Sequence, residues 1–313
     1  ESLVLDLKSD DGRREALERA AAADVVVEQF RPGVMDRLGI GYEAVRARNP
    51  GVVWCAITGY GQTGPKRDRA GHDLNYVAET GLLSLSCGAP GHRVVPPALV
   101  ADVAGGAYPA VMNILLALRA REASGEGAFL DVAMAENVFP FMFWALGDYF
   151  GAGIRRGNAD ALLSGGGPRY RLYDTRDGRV VAVGALEDKF WAAFAAAIGL
   201  EPAFADDARD PAATVARVAE IIASRDAADW APVLEAADCC ASVVSDIAEA
   251  LEDPQVVARG LVEHGVVAPD GARIPALPVP VVPAFRAAPG DRPFPDLGPA
   301  REDAGPDGEG PAR

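Results

Sequence analysis

Histidine is scarce in this chain: His72, His92 and His264 are the only three among 313 residues. Its ordinary pKa of ~6.5 lets it take and return protons at neutral pH, so each of the three is a candidate for acid–base chemistry. His264 lies in a turn-like stretch beside Gly265 and reads as a surface residue. His92 follows Pro90-Gly91 and is also loop-like. His72 sits in Gly71-His72-Asp73-Leu74-Asn75-Tyr76, between a basic loop and an apolar helix; taken alone, it reads as a helix cap or a structural histidine. The second candidate is Asp102, in Leu99-Val100-Ala101-Asp102-Val103-Ala104-Gly105-Gly106, where a strand-like run becomes a helix. Asp is a good N-cap. A carboxylate there also stands beside backbone N–H groups that could hold a developing oxyanion, and the two roles are compatible.

Other chemistries leave little trace. The chain has no G-x-x-x-x-G-K-[ST], C-x-x-C, H-E-x-x-H or G-x-S-x-G pattern, which lowers the case for P-loop, zinc and α/β-hydrolase chemistry. Gly59-Tyr60-Gly61-Gln62-Thr63-Gly64 matches G-x-G-x-x-G after a strand. That fingerprint needs a helix opening at its last glycines. Pro65-Lys66-Arg67-Asp68-Arg69 follows without apolar periodicity, which argues against a nicotinamide-dependent oxidoreductase and leaves a Gly-rich loop near some ligand. Arg31 and Arg37 read either as forks for phosphate or as surface salt-bridge partners.

The elements that position these residues alternate between strand and helix. Ser2–Lys8 reads as a strand, Asp10–Ala23 as a helix, Ala23–Gln29 as a strand, Asp36–Arg48 as a helix and Gly51–Thr58 as a strand. This alternation implies βαβ units around a mainly parallel sheet. Asp102–Ala123 is helical, and Pro109 predicts a kink or a late start. Phe129–Phe150 reads as a buried helix and Gly151–Gly167 as a linker. Tyr170–Val183 reads as a hairpin turning at Asp177-Gly178, followed by helices at Asp188–Ile198, Ala213–Ala223, Ala227–Ala237 and Val243–Leu251. The stretch from Pro289 to Arg313 is polar and acidic, as expected of a solvated strap.

Composition bounds the class. The chain is 50% hydrophobic and 24% charged, ordinary for a globular protein. With 30 Lys and Arg against 45 Asp and Glu, its net charge of −15 argues against nucleic acid and anionic membrane as partners. Val103–Leu118 falls short of the ~20 apolar residues of a spanning helix, so no membrane segment is expected. Four irregularly placed cysteines point to a reducing, cytoplasmic interior rather than a disulfide scaffold.

Taken jointly, several segments carry a resemblance. They are Phe30-Arg31-Pro32-Gly33-Val34-Met35-Asp36-Arg37-Leu38-Gly39, Asn49-Pro50, Thr58–Pro65, Gly71–Tyr76, Leu99–Asp102, Ser124-Gly125-Glu126-Gly127 and Val183–Phe190. In this order and spacing the chain closely resembles the family III CoA-transferase (CaiB/BaiF-type) superfamily, and within it the α-methylacyl-CoA racemase branch. The match covers roughly residues 1 to 200 and rests on several motifs together. It implies an α/β fold: a Rossmann-like large domain (residues 1–165, with 275–313 returning to it), a smaller α+β domain (170–265), linkers, and an interlocked homodimer.

The resemblance also implies the chemistry. Racemases of this type use a histidine and an aspartate, matched here by His72 and Asp102, as an acid–base pair. A glutamate matched by Glu187 pairs with the histidine, and comes from the other subunit. Inverting the carbon beside a thioester needs a base on one face, an acid on the other and an enolate between them. Asp102, at ~3.9 unperturbed, needs its pKa raised to donate a proton usefully. The amides at the Asp102 helix start are expected to hold the enolate oxygen. CoA contacts map to Leu5, Asp6, Leu7, Lys8, Phe30, Arg31, Arg37, Gly71, Asp73, Leu74, Asn75 and Tyr76. The implied substrate is a 2-methylacyl-CoA; CoA is part of it, and neither a metal nor a separate cofactor is required. Two alternatives stay open: a family III CoA transferase with Asp102 as nucleophile, and a non-catalytic CoA-binding chain. Relatives usually carry one further β-α unit ahead of Glu1, without which the sheet is expected to lose a strand and CoA binding to weaken. Asp188-Lys189 also replaces the Pro-Gln common after the glutamate.

Overall fold

The computed structural model describes residues 2–86, 88, 93–276 and 279–294. Residues 6–243 form one compact unit; residues 2–5 and the described residues from 244 onward form another. The larger unit opens with α1 (Asp10–Ala22), capped by Ser9, whose Oγ accepts the Gly12 N–H at 3.0 Å. Acidic Asp10 and Asp11 in its first turn and Arg19 in its last complement the helix dipole.

Three strands, β1 (Val25–Glu28), β2 (Val53–Thr58) and β3 (Ala128–Ala133), then form a parallel sheet in the order β1-β2-β3. The central strand is buried from Val53 to Ala56. That accounts for its continuous apolar run, since a parallel strand covered on both faces has no reason to alternate. Between β1 and β2 lie α2 (Val34–Arg37) and α3 (Tyr42–Arg46). Between β2 and β3 come α4 (Asp73–Glu79), a wide π-helical turn over Val100–Ala107, and α5 (Tyr108–Ser124). After β3, a 3-10 turn over Glu136–Met142 leads into α6 (Phe143–Ala152).

The rest of this unit is β4 (Tyr170–Asp174), β5 (Val180–Gly184), α7 (Asp188–Ile198), α8 (Pro202–Ala205), α9 (Pro211–Ile222), α10 (Ala227–Ala237) and β6 (Ala241–Val243). These strands form an antiparallel sheet in the order β4-β5-β6. Its core gathers Val181, Trp191, Phe194, Val218, Ile222, Trp230 and Leu234. Trp230 is fully enclosed, and its indole N–H donates to the Ile222 carbonyl at 2.9 Å. The smaller unit holds α11 (Ile247–Glu252), α12 (Pro254–Ala258) and β7 (Gly265–Val267), β8 (Arg273–Pro275) and β9 (Asp291–Pro293), with β7 central.

Several expectations need correction. Ser2–Lys8 holds only a single bridge position, at Val4, and a turn at Leu7–Lys8. Asp6 accounts for the turn: its Oδ1 accepts the Lys8 N–H at 2.9 Å and its carbonyl accepts the Ser9 hydroxyl at 2.8 Å. The helix expected over Asp36–Arg48 is split into α2 and α3, with Gly39 between them at φ 74°. Phe129–Phe150 opens as β3 and turns helical only from Glu136; periodicity cannot separate a short buried strand from a buried helix. Pro109 does mark a late α-helical start, because the winding ahead of Tyr108 is π-helical.

The helix from Val100 to Ser124 is long and apolar enough, by length and composition only, to cross a membrane, so the Val103–Leu118 count understates it. It packs against β2 and β3, and its Arg121 binds the Gly51 carbonyl at 2.9 Å and Asp24 at 2.9 Å. Cys55, Cys239 and Cys240 are free thiols. Cys87, His92 and the tail from residue 295 lie outside the described residues.

Candidate active site

Loops at the carboxyl ends of β1, β2 and β3 enclose a cleft of about 680 Å³. Gln29 and Phe30 follow β1, Gly59 and Tyr60 follow β2, and Met134 follows β3; all of them line it. Ligands of open α/β sheets bind outside this edge. His72 and Asp102 both face the cleft, with Arg31, Arg67, Arg69, Gly71, Asn75 and Tyr76.

His72 stands at the N-terminus of α4, in extended conformation, and is exposed. Asn75 Oδ1 accepts its backbone N–H at 3.1 Å. Tyr76 steadies the same loop from one turn later, donating its hydroxyl to the Gly71 carbonyl at 2.6 Å. The Tyr76 ring passes between Gly59 and Gly71, where an added Cβ would come within 2.5 Å and 2.7 Å of it. Gly59, the first glycine of the G-x-G-x-x-G run, is therefore explained by the tyrosine packed on it, and a dinucleotide is not needed to account for it.

Asp102 lies in the first turn of the π-helical segment and is half-buried. Burial, then the neighbouring Asp73 charge, push its carboxyl above the ordinary carboxylate range, while the His72 imidazole pulls it down. The amides around it are taken: Asp73 Oδ1 accepts those of Ala101 at 2.6 Å and Asp102 at 3.0 Å, and the Leu99 carbonyl accepts that of Val103 at 3.0 Å. The expected oxyanion site at this helix start is thus already filled from within the chain. Among the described residues, the amides of Asp73 and Leu74 at the start of α4 have no acceptor.

The mouth of the cleft is cationic in an acidic protein. Arg67 lines the cleft, and its guanidinium lies beside that of Arg37, which is outside the lining, both 3.3 Å from where a Cβ on Gly33 would stand; among the described residues the buried Arg67 Nε has no hydrogen-bond partner. Lys66 and Arg69 pair with Glu79 at 2.5 Å and 3.2 Å. The Phe30–Gly33 turn is anchored by Glu28, whose Oε2 accepts the Phe30 amide at 2.7 Å; burial pushes this carboxyl up, against the pull of that amide.

The structure brings Phe30, Arg31, Gly71, His72, Asn75, Tyr76 and Asp102 to one cleft. Asp6, Leu7, Lys8, Arg37, Asp73 and Leu74 are not among its lining residues, and Leu5 falls in the smaller unit. Glu187 is the exposed N-cap of α7, also outside the lining. Arg169 fixes its backbone, binding the Leu186 carbonyl at 3.0 Å, Asp188 at 2.7 Å and Asp207 at 2.7 Å. Arg67, Arg69 and Met134 also line the cleft without being singled out by the sequence, while Tyr60 belongs to the Gly-rich loop read as lying near some ligand. The basic run Lys66-Arg67-Asp68-Arg69, just ahead of His72 in an acidic chain, was the available signal.

Comparison with known proteins extends these matches along the chain. The description of CoA-transferase family III fits residues 1–300. Alpha-methylacyl-CoA racemase of Mus musculus is 33% identical over 304 residues, covering 95% of this chain and 78% of that protein. Succinate–glutarate CoA-transferase of Agrobacterium fabrum is also 33% identical, over 310 residues, covering 95% of this chain and 75% of that protein. The crystal structure of a CaiB/BaiF family protein from Brucella suis superposes with a TM-score of 0.77 at 26% identity, covering 95% of this chain and 78% of that one. Similarity of this extent, in sequence and in fold, reaches well beyond the motifs of residues 1 to 200: the chain belongs to CoA-transferase family III.

Proposed function

We propose that the protein is a cofactor-independent racemase or epimerase of 2-methylacyl-CoA thioesters, working by 1,1-proton transfer through an enolate. The observation that carries this reading is that His72 and Asp102 stand at the starts of two separate helical segments and face one cleft. One takes the α-proton from one face of the substrate; the other delivers a proton to the opposite face. The roles exchange when the other enantiomer enters. Burial raises the Asp102 carboxyl above the ordinary carboxylate range, the direction that favours its acting as a proton donor.

The enolate oxygen in this reading is held by the amides of Asp73 and Leu74, since those at residues 101 to 103 are occupied. Arg31, Arg67 and Arg69 at the mouth suit the phosphates of CoA. Glu187 of a second copy orients the His72 imidazole in the interlocked dimer. Its exposure supports this, as does the exposed apolar face of α5, where Val111, Met112, Leu115 and Leu116 face outward. The protein's own side chains carry the proton transfers.

The test is to incubate each enantiomer separately and analyse the stereochemistry of the acyl group. Interconversion is expected in the wild type, with a loss of about 10²-fold or more in His72→Ala and in Asp102→Ala. Undiminished interconversion in both variants contradicts the assignment. The second reading is a CoA transferase. The Asp102 carboxylate attacks the thioester carbonyl, the C–S bond breaks, CoA thiolate leaves and a mixed anhydride remains. It is favoured by the accessibility of Asp102 from the cleft and by the transferases among the relatives. Hydroxylamine trapping of an acylated Asp102 supports it.

A further inference from the structure

Asp73 directly follows His72, yet its side chain turns away from the cleft and is only 6% exposed. Its Oδ1 receives the amides of Ala101 and Asp102, which lie 28 and 29 residues further along the chain. A helix start normally draws such a cap from the residue just before it. Here that residue is Leu99, which offers no capping side chain. The cap is supplied instead from the first residue of another helix.

We propose that Asp73 is a positioning residue, whose buried carboxylate clamps the helix start bearing Asp102 and so fixes the separation between the Asp102 carboxyl and the His72 imidazole. The proposal rests on the reading of His72 and Asp102 as the reacting pair. The backbone of His72 continues directly into Asp73, and Asp73 holds the backbone of Asp102, so one side chain links both groups. The far end of the π-helical segment is fixed as well. Asn137 Nδ2 donates to the Gly105 carbonyl at 2.8 Å, and a Cβ on Gly105 would come within 2.6 Å of the Met134 carbonyl oxygen. Held at both ends, the wide winding sets the direction in which Asp102 projects. The charged and titratable groups acting on the Asp102 carboxyl are Asp73 and His72, and Tyr76 is coupled to it as well. Removing the Asp73 charge alone therefore moves the Asp102 titration downward.

Asp73→Asn keeps an acceptor oxygen and removes the charge; Asp73→Ala removes both. Two readouts separate positioning from a structural contribution. The first is carbon NMR titration of the Asp102 carboxyl in the free protein. A lower midpoint is expected in Asp73→Asn, with folding unchanged by circular dichroism. The second is steady-state kinetics of racemisation. In Asp73→Ala, kcat is expected to fall about 10²-fold, as for an ångström-scale misplacement, with KM for the acyl-CoA little changed. Should Asp73→Ala fail to fold, Asp73→Asn supplies both readouts. A wild-type kcat in folded Asp73→Ala, or in a folded Asp73→Asn whose Ala101 and Asp102 amides exchange faster than in the wild type, overturns the proposal. If the wild type does not racemise, that reading fails by itself, and hydrogen exchange at the Ala101 and Asp102 amides in the Asp73 variants decides whether Asp73 clamps this helix start.

Discussion

The hydroxyl of Tyr76 donates to the carbonyl of Gly71 at 2.6 Å, so one aromatic side chain holds the backbone immediately ahead of His72. Its ring meets that of Tyr60 edge-on, with centroids 5.2 Å apart, and fills the space left by Gly59 and Gly71. Gly59→Ala and Gly71→Ala should therefore each force the ring aside, costing about 1–3 kcal/mol by overpacking. Urea denaturation measures this, and Gly147→Ala, in open space on a helix, serves as the control.

Asp102 is expected to cost stability at neutral pH. A carboxyl whose pKa is higher folded than unfolded favours folding when protonated, and it penalises folding once pH has risen through the folded value. Asp102→Asn should thus melt higher than the wild type at pH 7, with the difference shrinking as pH falls toward the unfolded value. Thermal melts across pH 3 to 8 check this, and a wild type more stable than the variant at pH 7 contradicts it.

Arg169 fixes the segment that bears Glu187, and Asp207, its partner at 2.7 Å, is largely buried. Replacing the arginine with methionine keeps most of the side-chain stem but leaves the carboxylate unpaired. The expected loss is about 3–5 kcal/mol for a fully buried pair and less here, because part of the Arg169 side chain reaches solvent. Denaturant titration measures it.

If the cationic mouth takes the phosphates of CoA as proposed, binding should be sensitive to salt. Arg31→Ala and Arg67→Ala should each weaken binding of free CoA and flatten its dependence on ionic strength, since both face the cleft and the protein as a whole repels anions. Calorimetric titration at two salt concentrations is the check.

Much of the site was legible because its residues fall in contiguous motifs. Read alone, the segments around His72 and Asp102 each suit a helix cap; only the joint resemblance of several segments makes them a pair, and both line one cleft. The strands β1 and β2 were readable for the same local reason, as runs of β-branched and apolar residues. What escaped depends on contacts between distant segments. That Asp73 occupies the amides at Ala101 and Asp102 follows from how α4 meets the π-helical turn, and no local pattern encodes it. Strand β3 was hidden inside an apolar run that continues into a 3-10 turn and a helix.

In the proposed reaction His72 and Asp102 exchange protons with the carbon beside a CoA thioester. Proton NMR of (R)- and (S)-2-methylacyl-CoA, each incubated with the protein in D₂O without any acyl acceptor, tests it most directly. Loss of the α-proton signal from both enantiomers is the expected result. Retention of that signal in both, in a sample shown to bind CoA, would contradict the account and turn attention to an acylated Asp102.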